Sequence, residues 1–246
     1  MKAAPDAQKR LLDLAEQDAA LDRLRHRRRT LPELAGIDDL TKRLAQIATQ
    51  MIAAETEAAD LGREQSKAES DVDAVRQRAE RDQKRLDSGA VSSPRDLAGL
   101  QSEIASLHRR QGDLEEVVLE IMERRETADA RVDALRAERE TVTADLVGAE
   151  SRRDTAFAEI DKEGSEVTAR RKTISGEIPA DLLALYEKLR ESSGVGAALL
   201  SGGRCLGCRT TMSIADLNVI KAAKPDEVVR CEECRRILVR TNESGL

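Results

Sequence analysis

Four cysteines are the residues best suited to chemistry in this chain. They fall as two C-x-x-C pairs, Cys205/Cys208 and Cys231/Cys234, with twenty-two residues between the pairs. Two thiolates from each tight turn, brought together by the intervening segment, make the tetrahedral four-sulfur environment that Zn²⁺ prefers. An iron site or a pair of disulfides is the competing use of the same spacing. Four protein ligands leave no open coordination position, so a zinc ion here is expected to hold the fold and not to activate water. No other cluster of nucleophile and base stands out. His26 and His108 each sit in a charged stretch, away from any cysteine or other histidine, and read as solvent-facing helix residues. The chain is therefore not expected to be an enzyme.

The rest of the chain must position these turns, and its composition says how. Of 246 residues, 36% are charged and 1% aromatic, with one Phe, one Tyr and no Trp. A thick globular core ordinarily uses many aromatics to fill volume. Their scarcity, with abundant Ala, Leu, Glu and Arg, predicts long helices packed in thin layers. The net charge of −6 gives no global attraction to nucleic acid or to an anionic membrane. No apolar run approaches the ~18 residues that span a bilayer. Cysteines spent in C-x-x-C pairs suit a reducing cytoplasm.

The helical part reads as two arms. Leu14, Leu21, Leu24 and Leu31 begin an apolar stripe, and Pro32 with Gly36 predicts a kink between Thr30 and Gly36. Beyond it Ile37, Leu40, Leu44, Ile47, Met51, Ala54, Ala58 and Leu61 alternate in steps of three and four, and the pattern continues to Leu86. A sustained period of 3.5 is the mark of a coiled-coil seam. Gly89 ends the arm, and Ser93-Pro94-Arg95-Asp96 starts the next helix. Alternation resumes from Leu97 through Ile104, Leu114, Ile121 and Leu135 to Ala149, then more weakly to Ile174. A short turn between arms of nearly equal length predicts an antiparallel hairpin, with opposed positions summing to about 183. Arg125 would then face Ala58, and Arg139 would face Leu44. At such positions an arginine lays its stem on the seam and its head in water, which sets register.

The fold expected is mainly α: an antiparallel coiled-coil hairpin over residues 1–174, then a linker helix and small zinc ribbon over 175–246. Ile178-Pro179-Ala180-Asp181 starts the linker helix, and Ser192-Ser193-Gly194 stops it. Its Tyr186 is expected to pack against the ribbon. Ala197–Leu200, Val228–Arg230 and Ile237–Val239 read as strands, with a helical turn from Asp216 to Ala222. So small a module has little core, and metal binding should supply much of its folding energy.

These residues resemble bacterial coiled-coil proteins that carry a carboxyl-terminal four-cysteine zinc ribbon. The matching positions are Ile178, Pro179, Leu182 and Tyr186, then Cys205-x-Gly207-Cys208, then Cys231-x-x-Cys234 followed by Arg236, Ile237 and Leu238. Leu97, Leu100, Gln101, Glu103, Ile104 and Leu107 resemble the helix after the hairpin turn. The chain departs at Arg235, where the family has Gly after the last cysteine. A positive φ there would cost a non-glycine residue roughly 1 kcal/mol. The resemblance implies one structural Zn²⁺ on Cys205, Cys208, Cys231 and Cys234. It also implies an adaptor role, with a sigma factor or other transcription component as the partner, and in some members an mRNA.

Two functions follow from the sequence. The first is a non-enzymatic scaffold or adaptor for protein partners, cytoplasmic and without a membrane contact, its oligomeric state unspecified. The second is RNA or DNA binding by the ribbon through Arg204, Arg209, Arg230, Arg235, Arg236 and Arg240. Between Arg204 and Arg240 there are eight Lys or Arg against five Asp or Glu, enough for phosphate contacts. Against it, four thiolates with Zn²⁺ subtract two charges, and no aromatic is present to stack on bases.

Overall fold

A computed structural model describes residues 1–246. Five helices and four short strands follow in the order α1 (Pro5–Arg29), α2 (Pro32–Asp87), α3 (Pro94–Gly176), α4 (Ala180–Ser193), β1 (Ala197–Ser201), β2 (Arg204–Cys205), α5 (Ile214–Ala222), β3 (Val229–Arg230) and β4 (Ile237–Val239). The chain divides into two units. One holds Ala35–Glu150, and the other holds Met1–Leu34 with Ser151–Leu246. The architecture is a long coiled-coil helical hairpin with a small zinc ribbon.

In the unit of residues 35–150, α2 and α3 pair antiparallel along the expected seam. Every stripe position from Ile37 to Leu86 is buried or half-buried. Ile47, Met51 and Ala54 of α2 pack with Val132 and Leu135 of α3, and Leu61 and Ala68 pack with Ile121 and Ala128. Alanine and single aliphatic side chains fill this seam, so the core is one layer thick. Ion pairs flank it: Arg43 with Glu138, Arg78 with Glu103. Both fall close to the expected register. Gly89, at φ 69°, supplies the left-handed residue that ends α2, and Pro94 opens α3. The two seam arginines keep their head groups at the surface, as expected. Arg125 donates to Gln65 Oε1 at 3.1 Å and pairs with Asp129 at 3.6 Å. Arg139 is exposed. Neither position buries a charge, which an alanine-lined seam could not compensate.

In the other unit α1 ends at Arg29 and α2 restarts at Pro32, because Pro32 has no N–H to continue the ladder. Thr30 closes α1 by donating its N–H to His26 O at 3.0 Å. Arg28 pairs with Asp161 and Asp18 with Arg171 across α1 and α3. Leu24 and Leu31 pack with Ile160 and Val167.

The ribbon sheet has the order β2-β1-β4-β3. Each knuckle lies on an antiparallel pair, β1 with β2 and β3 with β4, and the two pairs join through a parallel β1–β4 ladder. Alternation along β4 divides the side chains between two cores. Ile237 and Val239 join Leu11, Leu14, Ile178, Leu182 and Tyr186. Leu238 faces the other way, with Ala198, Leu200, Cys205, Ile220 and Cys231. The start of the chain is tied into the same unit. Lys2 forms an antiparallel bridge to Glu227, Ala3 N donates to Asp226 O at 2.7 Å, and Val228 N donates to Met1 O at 3.1 Å. Buried Gln8 donates to Ala3 O at 2.8 Å and to Pro225 O at 3.2 Å.

A buried charge sits among α1, α3 and α4. Asp18 has no solvent exposure. Its carboxylate accepts from Tyr186 Oη at 2.6 Å, Arg171 Nε at 2.6 Å and Arg190 Nε at 3.1 Å. Glu187 bridges the two arginines at 2.6 and 3.6 Å, so every charge in the group has a partner. Burial first, and then the hydrogen bond to Asp18, push the Tyr186 phenol well above the ordinary tyrosine range. A folded pKa above the unfolded value of about 10 gives stability that is whole below pH ~10 and is lost as pH rises beyond it. The loss should approach 1.4 kcal/mol per pH unit, roughly. Tyr186 is the chain's one tyrosine, so tyrosinate absorbance reports it directly. Denaturation midpoints of the parent should fall steeply above pH ~10. Tyr186→Phe should start lower by roughly 1–3 kcal/mol and show a flatter alkaline limb.

Candidate metal centre

Cys205 ends β2, Cys208 lies three residues on, and Cys231 and Cys234 occupy the corresponding places after β3. Both turns close by the same bond. Arg209 N donates to Cys205 O at 2.8 Å, and Arg235 N donates to Cys231 O at 2.9 Å. The residue after each second cysteine takes a left-handed conformation, φ 62° at Arg209 and φ 62° at Arg235. The strain expected at Arg235 is therefore present, and a second instance occurs at Arg209. Gly207 answers a different need. A Cβ there would lie 2.8 Å from Ala198 Cβ and 2.8 Å from Arg236 Cδ, so only glycine lets the first knuckle close against the sheet.

The four Sγ atoms lie within 4.8 Å of one another. Cys205 and Cys234 sulfurs are 3.8 Å apart, and Cys208 and Cys231 sulfurs are 3.9 Å apart. Zn–S bonds of ~2.3 Å at tetrahedral angles place sulfurs ~3.8 Å apart, so the donor set fits Zn²⁺. A disulfide needs ~2.05 Å, and all four cysteines are free thiols. Cys205 and Cys231 are buried, while Cys208 and Cys234 are half-buried. Burial pushes the Cys231 thiol up to about 12 and raises Cys205 as well. The Thr210 hydroxyl and backbone lower Cys208 to about 6. A bound Zn²⁺ supplies the positive charge that holds all four as thiolates. Four protein sulfurs close the coordination sphere, and the ion's role is to join the two knuckles.

The six arginines grouped by sequence separate in space. Arg236 donates from Nε to Val195 O at 3.1 Å and from Nη2 to Ser193 O at 2.9 Å, so it ties the end of α4 to the ribbon. Arg240 donates to the carbonyls of Ile220, Ala223, Lys224, Pro225 and Glu227 at 2.7–3.3 Å, bracing α5 and the following loop. These two guanidinium groups are spent on backbone. Arg204, Arg209, Arg230 and Arg235 are exposed, and Arg235 pairs with Glu232 at 3.6 Å. His26 and His108 are exposed, as expected. The sequence reading missed the Asp18 group. Its signal was a carboxylate occupying a stripe slot between Leu14 and Leu21, which no solvent-facing role explains.

The hairpin and the closed four-thiolate ribbon define a class of coiled-coil metal-binding protein. Two family descriptions match in succession: a CT398-like coiled coil hairpin domain over residues 14–194 and a C4-type zinc ribbon domain over residues 204–238. The chain belongs to this coiled-coil hairpin and zinc-ribbon family. An uncharacterized protein of Mycobacterium tuberculosis (strain ATCC 25618 / H37Rv) is 40% identical over 240 residues, covering 98% of each chain. A solved structure from Mycobacterium smegmatis superposes with a TM-score of 0.85 at 36% identity, covering 98% of this chain and 100% of that one. CT398 from Chlamydia trachomatis shares the fold at a TM-score of 0.69 and 18% identity, over 95% of this chain and 97% of that one. No helix is long and apolar enough to cross a membrane.

Two outcomes test the centre. Cys205→Ser or Cys231→Ser should lose bound zinc by atomic emission and unfold the ribbon, while most of the helical circular dichroism remains; metal content equal to the parent would remove the assignment. Arg235→Gly relieves a left-handed residue and gives up only an exposed ion pair. It should stabilise the ribbon by about 1 kcal/mol, read as greater resistance to a zinc chelator.

Proposed function

We propose that the protein is a non-enzymatic cytoplasmic adaptor that holds protein partners on its helical surface and its ribbon. The observation that carries this reading is a set of large apolar side chains exposed outside the seam. Ile52, Val117, Leu119, Met122 and Val147 are exposed on α2 and α3, where a hairpin serving only its own fold would carry polar residues. The closed thiolate set supports a structural use of zinc. The titratable groups drawn together elsewhere are ion pairs with no nucleophile–base arrangement among them. A transcription component, as the family resemblance implies, is a partner suited to such an adaptor.

Exposure of Arg204, Arg209, Arg230 and Arg235 favours a second reading, phosphate contact by the ribbon. A tagged pull-down split into nuclease-treated and untreated halves separates the two. Protein retained after nuclease supports the adaptor; protein lost with digested RNA or DNA overturns it in favour of the ribbon's arginines. In the latter case binding should fall steeply with salt, and Arg204→Glu with Arg209→Glu should weaken it at least about tenfold. These two residues are the proper targets because Arg236 and Arg240 hold the fold.

A further inference from the structure

One groove in the unit of residues 35–150 joins exposed apolar surface to uncompensated charge. It has a volume of about 460 Å³ and is lined by Glu69, Val72 and Asp73 of α2 and Glu115, Val118 and Leu119 of α3. Val72 and Val118 are seam residues at its floor, both half-buried. Leu119 lies off the seam and is 59% exposed. Met122, one turn further along the same face of α3, is 45% exposed. Beyond buried Ile121 the next seam position holds Arg125, which donates to Gln65 Oε1. In this stretch two large apolar side chains one turn apart face water.

The rim is acidic. Glu69 accepts only from Gln65 Nε2, at 2.7 Å, and Glu115 only from Gln111 Nε2, at 2.8 Å. No lysine or arginine bridges either of them. Asp73 pairs with Arg76 at 2.7 Å. No basic side chain lines the groove. A nucleic acid is repelled by such a rim, and a purely apolar ligand leaves two carboxylates uncompensated. A second copy aligned on Leu119 and Met122 would oppose its own Glu115 and Glu126, like charge against like. The complementary occupant is an amphipathic helix with an aliphatic stripe flanked by lysine or arginine. Its apolar residues would cover Leu119 and Val72, and its cations would meet Glu69 and Glu115.

We propose that this groove is the docking site for a basic amphipathic helical segment of a protein partner. The inference rests on the adaptor reading and adds the place and the chemistry of the contact.

The test uses the full chain and three synthetic peptides: a helical peptide with leucine on one face and lysine on the other, the same leucine pattern with glutamate for lysine, and a scrambled lysine peptide. Binding is read by fluorescence anisotropy, and location by methyl NMR shifts of Val72, Val118 and Leu119. The lysine amphipathic peptide should shift these methyls and bind at least about tenfold tighter than either control, a difference of about 1.4 kcal/mol. Leu119→Ser, and separately Glu69→Lys with Glu115→Lys, should each remove about that tenfold with helical circular dichroism unchanged. Equal binding of the scrambled peptide, equal binding of the glutamate peptide, or shifts confined to other methyls would overturn the proposal. So would self-association abolished by Leu119→Ser, which makes a second copy the occupant. In the pull-down, a Leu119→Ser bait that keeps the parent's partner overturns the groove and leaves the adaptor reading standing. A parent bait that retains no protein overturns the adaptor reading itself, whatever the peptides do.

Discussion

Three consecutive residues, Ile237, Leu238 and Val239, are buried on both faces of β4, and the ribbon unit depends on that double burial. Side chains alternate along a strand. Ile237 and Val239 therefore serve the core built with α1 and α4, while Leu238 serves the core around the thiolates. The parallel ladder to β1 repeats the division, with Ala197 on the helical side and Ala198 on the metal side. A ribbon of this size has too little apolar area to be stable alone. Here one ladder is shared between a metal-clamped layer and a helical layer, and each layer supplies the cover the other lacks. Arg236 reinforces the joint by closing the end of α4 with a side chain anchored next to β4.

The helical unit of residues 35–150 meets the opposite problem. With alanines and single aliphatics in the seam, burial per turn is small, and stability must come from the number of turns and from the ion pairs beside them. Exposed pairs contribute only ~0–1 kcal/mol each. Such pairs as Arg43 with Glu138 set which residues face one another more than they set total stability. Apolar residues off the seam then have no folding role, which is why Leu119 and Met122 read as contact surface.

Much of this was legible from local pattern. The alternation from Ile37 to Leu86 names the buried face position by position, because period 3.5 is a direct image of a seam. Gly89 was recognisable because a helix end demands a particular φ, and Arg235 because the family that the chain resembles has glycine at that place. What escaped depends on contacts distant in sequence. Nothing near Asp18 announces that Tyr186, Arg171 and Arg190 will surround it. Nothing near Lys2 announces a bridge to Glu227. The arginines were misgrouped for the same reason: Arg236 and Arg240 look like their exposed neighbours until the carbonyls of Ser193 and Ile220 arrive beside them.

The pairing of α1 with residues near the ribbon also sets an order of events during synthesis. Asp18 waits for Tyr186 across 168 positions, and Gln8 waits for Pro225 across 217. The helical unit of residues 35–150 is complete while the second half of the ribbon unit is still being translated. α1 emerges first and acquires its partners last, its leucines and its one buried carboxylate uncovered in the interval. Such non-local closure is slow and exposes sticky surface while it is pending. β4 is among the last parts of this unit to be made, and the core that Leu11 and Leu14 share with Ile237 and Val239 closes only when it arrives.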